Sequence, residues 1–202
     1  MTAIKFVFAK NAIMTLFTLN ENTMNNLKKQ YADTIFNELK TNLTIENPMR
    51  VPKLVKICIN TGISEATDAN VKEASQNLTV ITGQKAVITR AKKAVSNFKI
   101  RKGDIVGCKV TLRKKKMYDF MQRLIHIAIP AIRDFQGIST RGFDGRGNYS
   151  LGIQEMIIFP EINPDTIQYN HGIDINIVTS AENDEHAKAL LTMFGMPFRQ
   201  GA

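Results

Sequence analysis

Gly107-Cys108-Lys109-Val110-Thr111-Leu112-Arg113 is the stretch that decides how this chain folds. Lys109, Thr111 and Arg113 fall on one side of an extended segment, and Cys108, Val110 and Leu112 fall on the other. This alternation predicts a strand that buries one face and leaves the other in water. The wet face carries cations and a hydroxyl, so it can meet phosphates. A disordered basic tail would lack the apolar partners.

The charge around this strand is concentrated. From Lys85 to Lys116 the chain holds Lys85, Arg90, Lys92, Lys93, Lys99, Arg101, Lys102, Lys109, Arg113, Lys114, Lys115 and Lys116, with Asp104 as the only acid. That segment carries +11, while the rest, with 15 basic and 17 acidic residues, carries −2, giving the net +9. A charge run is usually a solvated face. Here it is interleaved with strand formers, and the excess points to a polyanionic partner, nucleic acid first.

Composition bounds the rest. At 202 residues and 44% hydrophobic, the chain can bury a sizeable core, which excludes general disorder. Its apolar runs fall far short of the ~20 residues of a membrane span, so no membrane role is expected. Two cysteines, Cys58 and Cys108, exclude a disulfide framework and a four-thiolate zinc site. Both lie in apolar strand contexts and read as buried, inert thiols in a reduced, intracellular protein.

Periodicity places the other elements. Leu27, Tyr31, Ile35, Leu39 and Leu43 recur every four residues and predict an amphipathic helix over 25–43. Leu54 to Ile59 predicts a strand ended by Asn60-Thr61-Gly62. Asp68 to Ile81 predicts a helix stopped by Thr82-Gly83, and Ala86 to Thr89 a short strand. Residues 90–103 read as a mobile basic loop with Phe98 and Ile100 as its apolar points. Met117 to Ile129 is the clearest helix, with Pro130 beyond it. Residues 133–152 hold five of the twelve glycines and read as a long exposed loop. Strands are expected over Ile153–Phe159 and Ile173–Thr179, and a last helix over Glu182–Phe194. Residues 1–23 read as an extension, either disordered or a leader, before a folded domain over 24–202. The fold class is α+β: a single mostly antiparallel sheet, helices packed on one side, and exposed basic loops.

No catalytic constellation stands out. His126, His171 and His186 do not pair at ligand spacing, and neither His-Glu-x-x-His nor Cys-x-x-Cys occurs. Gly142-Phe143-Asp144-Gly145-Arg146-Gly147-Asn148 is glycine-rich, but a strand follows it where a phosphate-binding fingerprint needs a helix. It reads as a series of tight turns flanked by Arg133, Arg141 and Arg146. No cofactor, no metal and no enzymatic activity are expected. Nothing resembles a major-groove recognition helix, and a polar sheet face suits folded RNA.

Several motifs then carry a resemblance. Val51-Pro52-Lys53-Leu54, Ile59-Asn60-Thr61-Gly62, Ile81-Thr82-Gly83-Gln84-Lys85, Thr89-Arg90-Ala91-Lys92-Lys93 and Gly107 to Arg113 come in order. Ile132-Arg133-Asp134-Phe135, Phe143 to Tyr149, Phe159-Pro160-Glu161-Ile162 and Gly195-Met196-Pro197-Phe198-Arg199 follow. Over about residues 24–199 the chain resembles large-subunit ribosomal protein five, the bacterial-type family that binds 5S rRNA.

The resemblance implies a scaffold in the central protuberance of the large subunit, touching 5S rRNA and large-subunit rRNA. By motif position it implies RNA contacts at Asn60, Thr61, Gln84, Lys85, Arg90, Lys92, Lys93, Lys99, Arg101, Lys109, Thr111 and Arg113. The loop from Arg90 to Lys102 resembles the one that reaches the elbow of the peptidyl-site tRNA. The glycine loop, with Arg133, Arg141, Arg146 and Asn148, resembles the part that bridges to a small-subunit head protein.

The chain also departs from the family pattern. Asn97 stands at a usual glycine position, where asparagine is tolerated in a left-handed turn. Lys114-Lys115-Lys116 replaces a Gly-Glu/Asp-Arg turn, and Thr140-Arg141-Gly142 differs from the usual Lys-Ser pair. Two other readings stand beside the ribosomal one: a free-standing RNA-binding module or chaperone, and a nucleotide-dependent enzyme using the glycine loop. With 24 Ile, 17 Asn and 18 Lys to 9 Arg, the composition fits AT-rich coding. The expected location is a ribosome in a bacterial cytoplasm, a mitochondrion or a plastid.

Overall fold

The computed structural model describes residues 27–63, 67–164, 167, 169 and 171–199. The expected extension over 1–23 lies outside them. The chain opens with α1, formed by Leu27–Gln30 and Phe36–Asn42 joined through a π turn at Tyr31–Ile35. Then come β1 (Leu54–Gly62), α2 (Asp68–Thr82), β2 (Val87–Arg90) and β3 (Ile105–Leu112). The second half holds α3 (Lys114–Arg123, extended by a π turn at Leu124–Ala128), β4 (Tyr149–Ile153), β5 (Ile173–Thr179) and α4 (Asp184–Met193).

The five strands form one sheet in the order β2-β3-β1-β5-β4, and every pairing is antiparallel. One face is apolar: Ile57, Ile59, Cys108, Val110, Leu112, Ile175 and Ile177 are all buried. The helices cover this face through Leu78 and Ile81 of α2, Phe120 and Met121 of α3 and Leu190 and Leu191 of α4. Tyr31 of α1 stacks on Phe194 at 5.8 Å between centroids, tying the first helix to the end of the last. The arrangement is α+β with helices on one side, as the sequence predicts.

Two cations of α3, the first of them also in the basic segment, hold the end of α2. The helix stops at Gly83, which takes a left-handed conformation. Lys116 Nζ donates to the Gly83 carbonyl at 2.8 Å, and Arg123 Nη2 donates to the Ile81 carbonyl at 2.9 Å. Positive groups at a helix C-terminus oppose its dipole. Arg123 also pairs with Glu161, a half-buried contact that joins α3 to the segment after β4.

Several boundaries differ from expectation. The strand predicted over Ile153–Phe159 is instead β4 at Tyr149–Ile153, and Met156–Ile158 form a 3-10 turn. The apolar run 156–159 packs into the core as a turn, with Met156 and Phe159 buried. The glycine segment is therefore shorter as a loop, and Ile138 bridges to Phe198. Asn60 to Gly62 extend β1 rather than end it. The loop over 90–103 is internally bonded. Ala91 closes its base, with Ala91 N donating to Asp104 O at 2.8 Å and Gly103 N donating to Ala91 O at 2.9 Å. Val95 and Ile100 pair further out. Lys99 in this loop takes a left-handed conformation, at φ +54°.

Candidate nucleic-acid interface

The face of the sheet that the helices leave open is polar and runs in rows. One row is Val87, Lys109, Asn60, Asp174 and Gly152, read across β2, β3, β1, β5 and β4. The next is Thr111, Cys58, Asn176 and Ser150. Ser150 Oγ and Asn176 Oδ1 are 2.8 Å apart, and Cys58 Sγ lies 3.9 Å from Thr111 Oγ1. Gln84, in the turn after α2, reaches this face: its Nε2 donates to the Thr111 carbonyl at 3.3 Å. Gln84, Thr111, Asn60 and Lys109 thus share one surface.

The charge on this surface is graded. All twelve cations of the Lys85–Lys116 segment are exposed. Among the described residues the ion pairs are Arg50–Glu182 and Arg123–Glu161, and neither uses that segment. Lys109 and Arg113 lie on or beside β3, and Lys92, Lys93, Lys99 and Arg101 sit on the β2–β3 loop. Arg90 is fixed at the loop base, its Nη1 donating to the Gly103 carbonyl at 3.0 Å. The β5 side instead carries the exposed carboxylate of Asp174. A polyanion is therefore drawn to the β2-β3-β1 half.

Two expectations are corrected here. Thr61 is fully buried, and its hydroxyl donates to the Gly172 carbonyl at 2.7 Å, so its side chain faces the core and offers nothing to RNA. Alternation explains it: Ile57, Ile59 and Thr61 point inward, and Cys58 and Asn60 outward. For the same reason the Cys58 thiol is half-exposed on the open face, whereas Cys108 is buried and burial pushes its thiol pKa up. Lys56, Asn176 and Ser150 share the open face and are legible from the same parity.

The glycine loop is built on carboxylates of its own chain. Asp184, at the start of α4, accepts the backbone N–H of Gly145 at 3.0 Å and of Gly147 at 2.9 Å. Asp144 accepts Asn148 Nδ2 at 2.7 Å and the N–H groups of Asn148 and Arg146 at 3.0 and 2.8 Å. The Asn148 side chain first, and then these backbone bonds, hold the Asp144 carboxyl below the usual carboxylate range. Gly147 has φ +76°, and a Cβ there would lie 2.7 Å from the Ala181 carbonyl oxygen. The amides that a nucleotide phosphate would need are thus occupied by Asp184. Phe143, Tyr149 and Phe198 pack beneath the loop at 4.7–5.8 Å between centroids.

Of the residues expected at the small-subunit bridge, Arg141 and Arg146 are exposed or half-exposed on this loop. Asn148 is spent within it, since its Oδ1 also accepts the Thr179 N–H at 3.3 Å. Arg133 lines a different cleft, with Gln154, Glu155 and Ile157. Among the described residues, no cluster of three or more His, Cys, Asp or Glu could hold a metal ion, and no helix is long and apolar enough to cross a membrane.

The sequence that forms these elements matches a known family. The family model for ribosomal protein L5 matches residues 47–101, and the model for the C-terminus of the same ribosomal family matches residues 105–198. The chain belongs to the ribosomal protein L5 family. It is 55% identical over 86% of its length to large ribosomal subunit protein uL5 of Rippkaea orientalis, covering 97% of that protein. The uL5 proteins of Geobacter sulfurreducens and Parasynechococcus marenigrum are 52% and 55% identical, over 87% and 86% of this chain and 99% and 98% of theirs. As a member of this family it is a structural constituent of the large ribosomal subunit and not an enzyme.

Proposed function

We propose that the chain anchors 5S rRNA in the large subunit through the open face of its sheet. The observation that carries this is the row geometry: Asn60, Lys109, Thr111 and Gln84 converge on one unobstructed face beside a set of cations without ion-pair partners among the described residues. Lysine and arginine neutralise phosphates and release counterions, and the polar side chains fix register. The same chemistry at the β2–β3 loop supports a contact with the peptidyl-site tRNA. The accessible Arg141 and Arg146 support a contact with a small-subunit head protein. The relatives named above are bacterial, and a bacterial cytoplasm or an organelle of bacterial ancestry is the setting these contacts fit.

The test is binding of the full chain to 5S rRNA, to tRNA and to a duplex of equal length across a salt series. If about six cations meet phosphates, log K falls with log salt at a slope near −4, taking ~0.7 per contact. A preference for 5S rRNA that survives moderate salt is the expected result. Equal binding to all three that collapses with salt would leave only a basic patch.

A further inference from the structure

Phe98, on the β2–β3 loop, is 75% exposed. Phosphate and polar contacts do not use this ring, yet the loop is built to hold it out. Ser96–Phe98 form a 3-10 turn closed by Lys99 N donating to Ser96 O at 3.0 Å, and Lys99 adopts its left-handed conformation directly after the ring. Val95 and Ile100 clamp the turn from below, at 2.9 and 3.1 Å. A left-handed lysine is an unfavourable conformation, held here by the surrounding bonds.

The ring also walls an open cleft of about 830 Å³, whose lining includes the cations Arg90 and Lys99 and the apolar Ile63, Ile100 and Ile105. Asp104, the one carboxylate among the described residues of the cleft, accepts the Arg101 N–H at 2.7 Å. A flat apolar surface beside two cations suits a group with a π face and an attached anion. An unstacked nucleotide has both.

We propose that Phe98 is a stacking platform for an unpaired RNA base, whose phosphate rests against Lys99 and Arg90. This deepens the reading that the basic loop meets RNA, and it specifies looped-out nucleotides rather than duplex. Base–aromatic stacking tolerates any base, so the platform selects structure and not sequence.

The test uses the full chain, Phe98→Ala and Phe98→Trp, with an RNA hairpin carrying 2-aminopurine in its loop and a blunt duplex of equal length. Wild type and Phe98→Trp are expected to change the fluorescence of the hairpin loop. Phe98→Ala is expected to bind the hairpin about five- to a hundredfold more weakly, with duplex binding and salt slope within about twofold of wild type. Unaltered hairpin affinity in Phe98→Ala, with RNA binding by wild type intact, overturns the stacking role alone. Equal losses on hairpin and duplex reduce Phe98 to a loop-folding residue and overturn it too. Wild type that binds neither RNA overturns the underlying reading as well.

Discussion

Replacing Asn60 by Ala and Thr111 by Val removes two neutral polar groups from the centre of the open face and leaves every charge in place. The two positions lie on adjacent strands, with Asn60 opposite Lys109 and Thr111 opposite Cys58. One strand spacing and two residue rises put them about 8 Å apart, far enough for their effects to add within about 0.5 kcal/mol. Each side chain is expected to contribute about 1–2 kcal/mol to the complex, because its RNA partner is left buried without a hydrogen bond when it is lost. The double variant should therefore bind 5S rRNA about 30- to 1000-fold more weakly. Its salt slope should match that of wild type, since neither group releases counterions. Thr111 is exposed and Asn60 half-exposed, so thermal stability should move by no more than about 0.5 kcal/mol. The assay is fluorescence anisotropy with labelled 5S rRNA, alongside circular-dichroism melting. A folded double variant with affinity within about twofold of wild type would refute the sheet-face account.

Other expectations concern the scaffold. Lys114 opens α3 at φ +53°, so Lys114→Gly should relieve about 1 kcal/mol of backbone strain and raise Tm by about 2–4 °C in a scanning melt. Asp184→Ala should leave two loop amides without their acceptor and cost about 1–3 kcal/mol in urea unfolding, without weakening 5S rRNA binding. Burial pushes the phenols of Tyr149 and Tyr31 up to about 12, the latter aided by Tyr118. The folded state thus favours the protonated phenol. This stability is complete below about pH 10 and is lost as pH rises toward about 12, so Tm should fall over that interval, less so in Tyr149→Phe.

Much of the fold is legible because its elements are amphipathic. The four-residue stripe of α1, the i, i+3, i+4 pattern of α3 and the alternation of β3 each report a buried face directly. What periodicity does not report is the π turns at Tyr31–Ile35 and Leu124–Ala128, which leave the apolar stripe continuous. It also misplaces β4, because Met156 to Phe159 are as apolar as a strand while the true strand begins in a glycine-rich segment. For the site, charge position is visible in the sequence, but partnership is not. Asn148 reads as a contact residue until its amide is seen bound to Asp144 and Thr179. Thr61 is within reach of a stricter reading of parity in β1. The Asp184 carboxylate under the glycine loop is not, because it comes from a helix far along the chain.

Cys58 offers the most direct test of where RNA sits. Its thiol lies half-exposed in the middle of the open face, while the only other cysteine, Cys108, is buried with its pKa raised and serves as an internal control. Alkylation with iodoacetamide, read by intact mass, should add one group to the free chain, at Cys58. Saturating 5S rRNA should slow that addition by at least about tenfold, and tRNA at the same phosphate concentration should not. Equal labelling of Cys58 with and without bound 5S rRNA would contradict the claim that the open face is the binding surface.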